Sequence, residues 1–175
     1  MKFKQKVESA IALIIIFLGT VLLLFPLFNI NNIKWINVVI FGIYAICYLI
    51  QHLLTYKSKD YEGLYTFIAS LISLIISLAI KAESSASKLS MTLMIWIILM
   101  SLTKLKKADY YHDRRDRMWK LNIFLLFLFI LTGLLASINL YYEPNVQVIV
   151  IGFFFLVNGI LELIEPIVKT LIAHS

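Results

Sequence analysis

Asn158, Glu162 and Glu165 follow one another at spacings of four and three, so on a helix all three project from one face. The stretch around them is otherwise apolar, and a carboxylate there must be paired or exchange protons to offset the cost of losing water. Two readings of Glu162 stay open: a structural ion-pair member, or a proton- or ion-handling group. Glu165 stands four residues before Lys169, the favourable order for a helical ion pair. Pro166 removes the backbone donor that would meet the Glu162 carbonyl. Tyr44, Tyr48, Gln51, His52 and Thr55 form a second polar stripe. His52 is expected at a depth similar to that of Glu162, where an imidazole and a carboxylate could share a proton. The alternative is an interfacial belt of Tyr and His without pairing.

A third pattern is one of small residues. Gly63, Thr66, Ser70, Ser73 and Ser77 recur at three, four, three and four, which puts them on one seam that a neighbouring helix can approach closely. A hydrophilic pore lining is the competing reading of that seam. Gly133 with Ser137, and Gly152 with Gly159, repeat the small-residue spacing and read as helix contacts. The run holding Lys104, Lys106, Lys107, Arg114, Arg115 and Arg117 also contains His112, Asp113 and Asp116. Those three are the only semblance of a metal site, and the surrounding cations oppose it. The run reads instead as a juxtamembrane segment drawn to anionic lipid headgroups, with Trp119 at the interface. No nucleophile elbow, paired-histidine zinc motif or phosphate-binding glycine loop occurs in the sequence. The expectation is therefore a non-enzymatic protein without cofactor or metal.

These residues must be positioned by elements that lipid surrounds. Of 175 residues 61% are apolar and 15% charged, against about half and a quarter in soluble domains. Crossing about 30 Å of hydrocarbon takes about 20 helical residues. Uncharged or nearly uncharged windows predict six spans in a single transmembrane domain, at about 9–28, 35–55, 63–80, 89–103, 121–141 and 145–168. The fourth, 15 residues long, is the shortest, with a re-entrant segment as its alternative. The first resembles a secretory signal, but it is too long and has no small-residue cleavage site, so it is expected to remain as a span. Cys47 is the single cysteine, so no internal disulfide forms.

Charge sets the expected orientation. Three basic residues at the N-terminus, two after the second span, seven after the fourth and Lys169 after the sixth make thirteen on one side, against Lys34, Lys81 and Lys88 on the other. That bias predicts both termini in the cytoplasm. The net charge of +6 is thus accounted for by orientation, and nucleic acid is not an expected partner. The bilayer is, and a homo-oligomer stays open.

The spans fall into three successive pairs, which raises the question of a repeat. Pro26 precedes Gly42-Ile43 by sixteen residues and Pro144 precedes Gly159-Ile160 by fifteen, whereas the middle pair has neither feature. The stretch Phe17-Leu18-Gly19-Thr20-Val21-Leu22-Leu23-Leu24-Phe25-Pro26 resembles the Gly-then-Pro hairpin of the HdeD-like short-repeat membrane proteins. Gly152-Phe153-Phe154-Phe155-Leu156-Val157-Asn158-Gly159-Ile160 is similar to the paired-glycine helix that follows it in that family. The resemblance implies an all-α bacterial inner-membrane protein of three helical hairpins, tied to acid or membrane stress, with no established active site. The alternative is a small transporter or channel that uses Glu162.

Overall fold

The computed structural model describes residues 3–24, 33–56, 61–80, 86–139 and 144–174. Lys2, Pro26, Lys57, Lys59 and Lys81, which enter the charge and repeat arguments, lie outside them. Six helices follow in order: α1 (Phe3–Leu24), α2 (Ile33–Thr55), α3 (Glu62–Ala79), α4 (Ala86–Asp113), α5 (Met118–Asn139) and α6 (Pro144–His174). No strand occurs among the described residues. In hydrocarbon, helices satisfy every backbone donor and acceptor within the segment. Among the described residues, Phe3–Leu24, Trp35–Thr55, Glu62–Ala79, Met118–Ile138 and Val146–Ile172 are long and apolar enough to cross a membrane. The chain is a helical, multi-pass membrane protein.

The segment expected to be a short span followed by a long basic loop is one 28-residue helix. Nothing between Ala86 and Asp113 stops it, since that stretch has neither glycine nor proline. What remains of the loop is the turn from Arg114 to Arg117. The Asp116 and Arg115 amides close it by donating to the carbonyls of Tyr111 and His112, at 3.0 and 2.9 Å, and thereby cap the end of α4. Arg115 takes the left-handed conformation, φ 53°. Asp116 Oδ1 then accepts the Met118 amide at 3.0 Å and caps α5.

The helices close into a ring, and their pairing differs from three successive hairpins. The most extensive contact joins α1 to α6, followed by α2 to α3 and α4 to α5, while α1 and α2 touch only lightly. Small residues explain the α1–α6 pair. A Cβ on Gly19 would lie 2.3 Å from the Leu156 nitrogen, and one on Gly159 would lie 2.8 Å from the Ile16 nitrogen, so only hydrogen fits between the two backbones. The repeat counterpart of Gly159, Gly42, faces nothing within 4 Å. The two glycines matched in sequence therefore do different work.

Between α1 and α2 lies an apolar groove of about 420 Å³, with Phe17, Val21, Trp35 and Val39 on its walls. The middle of the ring is filled by aromatic rings. Trp96 is fully buried and packs edge-on against Tyr44 at 5.0 Å, with Phe155 at 5.5 Å and Phe129 and Phe154 each at 6.1 Å. Its indole N–H donates to Ser70 Oγ at 3.3 Å. The α3 seam is buried throughout at Gly63, Thr66, Ser70, Ser73 and Ser77. It backs on α2 through Gly63, where a Cβ would lie 3.0 Å from the His52 nitrogen, and on α4 through Ser70. Ser73 donates to its own helix, at the Ala69 carbonyl, 3.1 Å away. In α5, Gly133 meets the Ile97 side chain and Ser137 is buried.

Candidate functional site

One end of the bundle gathers the start of α1, the end of α2, the start of α3, the last turns of α4, the start of α5 and the end of α6. Odd helices begin there and even helices finish there, so charged residues that flank different spans in sequence meet in space. Beneath that end, next to the aromatic core, is a polar chamber of about 40 Å³ bordered by Glu8, Tyr48, Gln51, Lys104, Asn122 and Glu162.

Two carboxylates of α6 organise it. Glu162 accepts the Tyr48 hydroxyl, the Lys104 ammonium at 3.3 Å and the Asn158 amide, also at 3.3 Å. The same amide nitrogen donates to the Tyr44 hydroxyl at 2.7 Å, which ties α6 to α2 twice. Glu165, one turn on, accepts Lys107 at 2.7 Å and the Tyr111 hydroxyl at 3.1 Å, and pairs with Lys169 on its own helix. Lys107 reaches across to α3 as well, holding Glu62 at 2.6 Å. Lys169 also donates to the Tyr111 hydroxyl. Hydrogen-bonded ion pairs of this kind are what a buried charge requires.

Lys107 and Tyr111 lie beyond the apolar stretch of α4. Burial pushes the Lys107 ammonium down, but the carboxylates facing it, Glu165 first and then Glu62, raise it and the group is held well above its ordinary value. Burial raises the Tyr111 phenol, and the Glu165 charge raises it further. Lys107 thus stays a cation and Tyr111 a neutral donor throughout the ordinary pH range.

Asn158, Glu162 and Glu165 are brought together, as their spacing requires. His52 is not with them: Tyr48, one turn earlier, occupies the position facing Glu162. The His52 ring instead stands edge-on to Tyr56 at 5.6 Å. Depth along α2 could be estimated from sequence only to about a turn, and one turn decides which side chain meets the carboxylate. Lys104 and Lys107, expected at lipid headgroups with the rest of the basic run, turn into the bundle end, because α4 stays helical and carries them past acidic partners on α3 and α6. Lys106 lies over the Tyr65 ring at 4.7 Å and Arg114 over Tyr110 at 4.1 Å. Arg115 and Arg117 are exposed.

Sequence reasoning missed three members. Glu8 and Glu62 stand just outside apolar windows, and Tyr111 falls within the basic run that reads as a juxtamembrane segment. Helical phase was the available signal, since Lys104, Lys107 and Tyr111 at spacings of three and four share one face. Among the described residues, no three His, Cys, Asp or Glu side chains are grouped to hold a metal. What the arrangement can do is hold charge and protons.

No family model matches this chain, and neither a curated protein nor a solved structure is significantly similar to it.

Proposed function

We propose that the chain is a non-enzymatic protein of a bacterial-type inner membrane that crosses it six times, with both termini in the cytoplasm, and serves in acid or membrane stress. The network around Glu162 and Glu165 is its structural lock, joining α2, α3, α4 and α6 at the cytoplasmic end. The single observation that carries this reading is that each α6 carboxylate is met by donors from another helix as well as its own. A transport site built on Glu162 would need that carboxylate left to its cargo. The aromatic cluster around Trp96 fills the path beyond the chamber, which also favours a lock over a pore. Thirteen basic residues against three support the orientation. Crossing by α4 is supported by its 28 residues, about 42 Å of helix, and by Trp96 at the centre of the ring. The exposed arginines of the α4–α5 turn suit anionic headgroups. The stress role and the HdeD-like kinship rest on the two sequence stretches that resemble that family.

The test is Glu162→Gln in purified, detergent-solubilised protein and in reconstituted vesicles. A lock loses Lys104's counter-charge, so stability should fall by about 3 kcal/mol, toward the low end for a buried pair because both side chains retain some contact with water. Wild-type vesicles with pH-driven flux that the substitution abolishes, while folded protein is undiminished, would instead make this a transporter.

A further inference from the structure

Among the described residues, Glu8 is the buried carboxylate at this end of the bundle that the lock does not use. It stands on α1, its side chain only 10% exposed, and both of its oxygens are buried without a hydrogen-bond partner. Its ion-pair contact is Lys4, one turn back on the same helix, 3.6 Å away and 32% exposed. The charges facing it from other helices are Lys107 on α4, Glu62 on α3 and Lys169 on α6. Lys107 is shared by two nearer carboxylates, Glu62 at 2.6 Å and Glu165 at 2.7 Å, and Lys169 is engaged by Glu165 and Tyr111. From α2 and α5 the chamber presents only neutral groups, Tyr48, Gln51 and Asn122.

Ion pairing singles out the same residue. Glu62, Glu162 and Glu165 are each met by Lys104, Lys107 or Lys169 within 3.3 Å, whereas Glu8 has Lys4 at 3.6 Å. An ionised Glu8 would add a fourth buried negative charge, beside Glu62, with hydrogen bonds to neither oxygen. An ionised carboxylate can only accept, whereas the acid has one O–H to donate. Burying the ion unsolvated costs far more than burying the acid. The polar chamber that Glu8 borders exceeds the roughly 10–15 Å³ needed to admit one water.

We propose that Glu8 is a proton-binding site of this chamber: its carboxylate takes one proton on a side-chain oxygen, and the resulting neutral acid is the form in which the bundle is assembled at neutral pH. The proton arrives from and returns to the chamber, and the four ion pairs beside it keep their charges. The assignment rests on the ion-pair reading of the site, but the measurement below addresses Glu8 alone. The lock can therefore fail while Glu8 still carries a proton, and the reverse.

Infrared difference spectroscopy of the full-length protein in vesicles, titrated from about pH 5 to about pH 9, reads the carbonyl stretch of a protonated carboxylic acid directly. The expected result is such a band at neutral pH in the wild type and its loss in Glu8→Gln, with the melting midpoint of the variant unchanged or raised, because glutamine copies the neutral acid. No such band in the wild type, or a band that persists in Glu8→Gln, would overturn the proposal. Failure of Glu8→Gln to fold would overturn it too, since an amide would fail only where the ionised form is required.

Discussion

Gly19 offers the sharpest test of how the ring is closed. A methyl group there would sit 2.3 Å from the Leu156 nitrogen, 2.7 Å from its Cα and 2.8 Å from the Gly152 carbonyl oxygen. Ordinary contact begins at 3.4 Å, so Gly19→Ala asks α1 and α6 to separate locally by about 1 Å, the difference between 3.4 and 2.3. The obstacles are backbone atoms, which have no rotamer to move into. Overpacking of this sort costs about 1–3 kcal/mol, offset in part by the roughly 0.5–1 kcal/mol that alanine gains over glycine within a helix. Gly42→Ala gains the same propensity and meets nothing within 4 Å. The difference between the two variants is then the overpacking cost itself, about 1–3 kcal/mol. Equilibrium unfolding in mild detergent, followed by tryptophan fluorescence, measures both. Gly19→Ala as stable as Gly42→Ala would refute the close α1–α6 crossing.

Three further expectations follow from other parts of the molecule. Ser73 is fully buried and bonds only within its own helix, so Ser73→Ala should change the melting midpoint little. Ser73→Leu should cost about 1–3 kcal/mol by prising α3 from its neighbours, whereas a loss of ion flux in the alanine variant with stability intact would restore the pore reading. The raised Lys107 and Tyr111 groups both favour the protonated form in the folded protein. The stability they contribute is complete below their ordinary values, 10.5 and 10.0, and is lost as pH climbs toward the folded values. In Glu8→Gln, where the titration of Glu8 itself is removed, melting midpoints should stay level from neutral pH to about 10 and fall above it; a decline under way by about pH 8.5 in that variant would contradict the assignment. Reporter fusions after Lys57, Lys107 and Ser175 should report cytoplasm and one after Glu143 the outside, and an outside signal after Lys107 would mean that α4 does not cross.

Much of the helical layout was legible because lipid makes a simple demand: apolar runs of sufficient length must be helices. The face shared by Asn158, Glu162 and Glu165 was legible for the same reason, since helical phase is local. The buried α3 seam also followed from phase. What stayed hidden depends on which helices meet. Adjacency along the chain suggested that α1 would pair with α2, yet the glycines of α1 and α6 allow a closer approach than the bulky α1–α2 faces do. Lys104 lies 58 residues from Glu162, and no spacing rule spans that distance. Glu8 and Glu62 were overlooked because scanning for uncharged windows sends every flanking charge to the solvent, whereas here the helix ends lean inward on one another.

The α1–α6 contact also bears on the order in which the protein is made. Residues 25–143, 119 in number (143 less 24), separate the end of α1 from the start of α6, so α1 leaves the ribosome well before its main partner and meets it only when α6 arrives. Contacts so distant in sequence form late. Until then, the small-residue face of α1 can be covered only by lipid, by the insertion machinery or by a wrong helix, and its thin contact with α2 does little to retain it. Ring closure thus works as a check on completeness: a chain interrupted before Gly152 leaves α1 without a seat, open to the quality-control proteases that remove unassembled membrane helices.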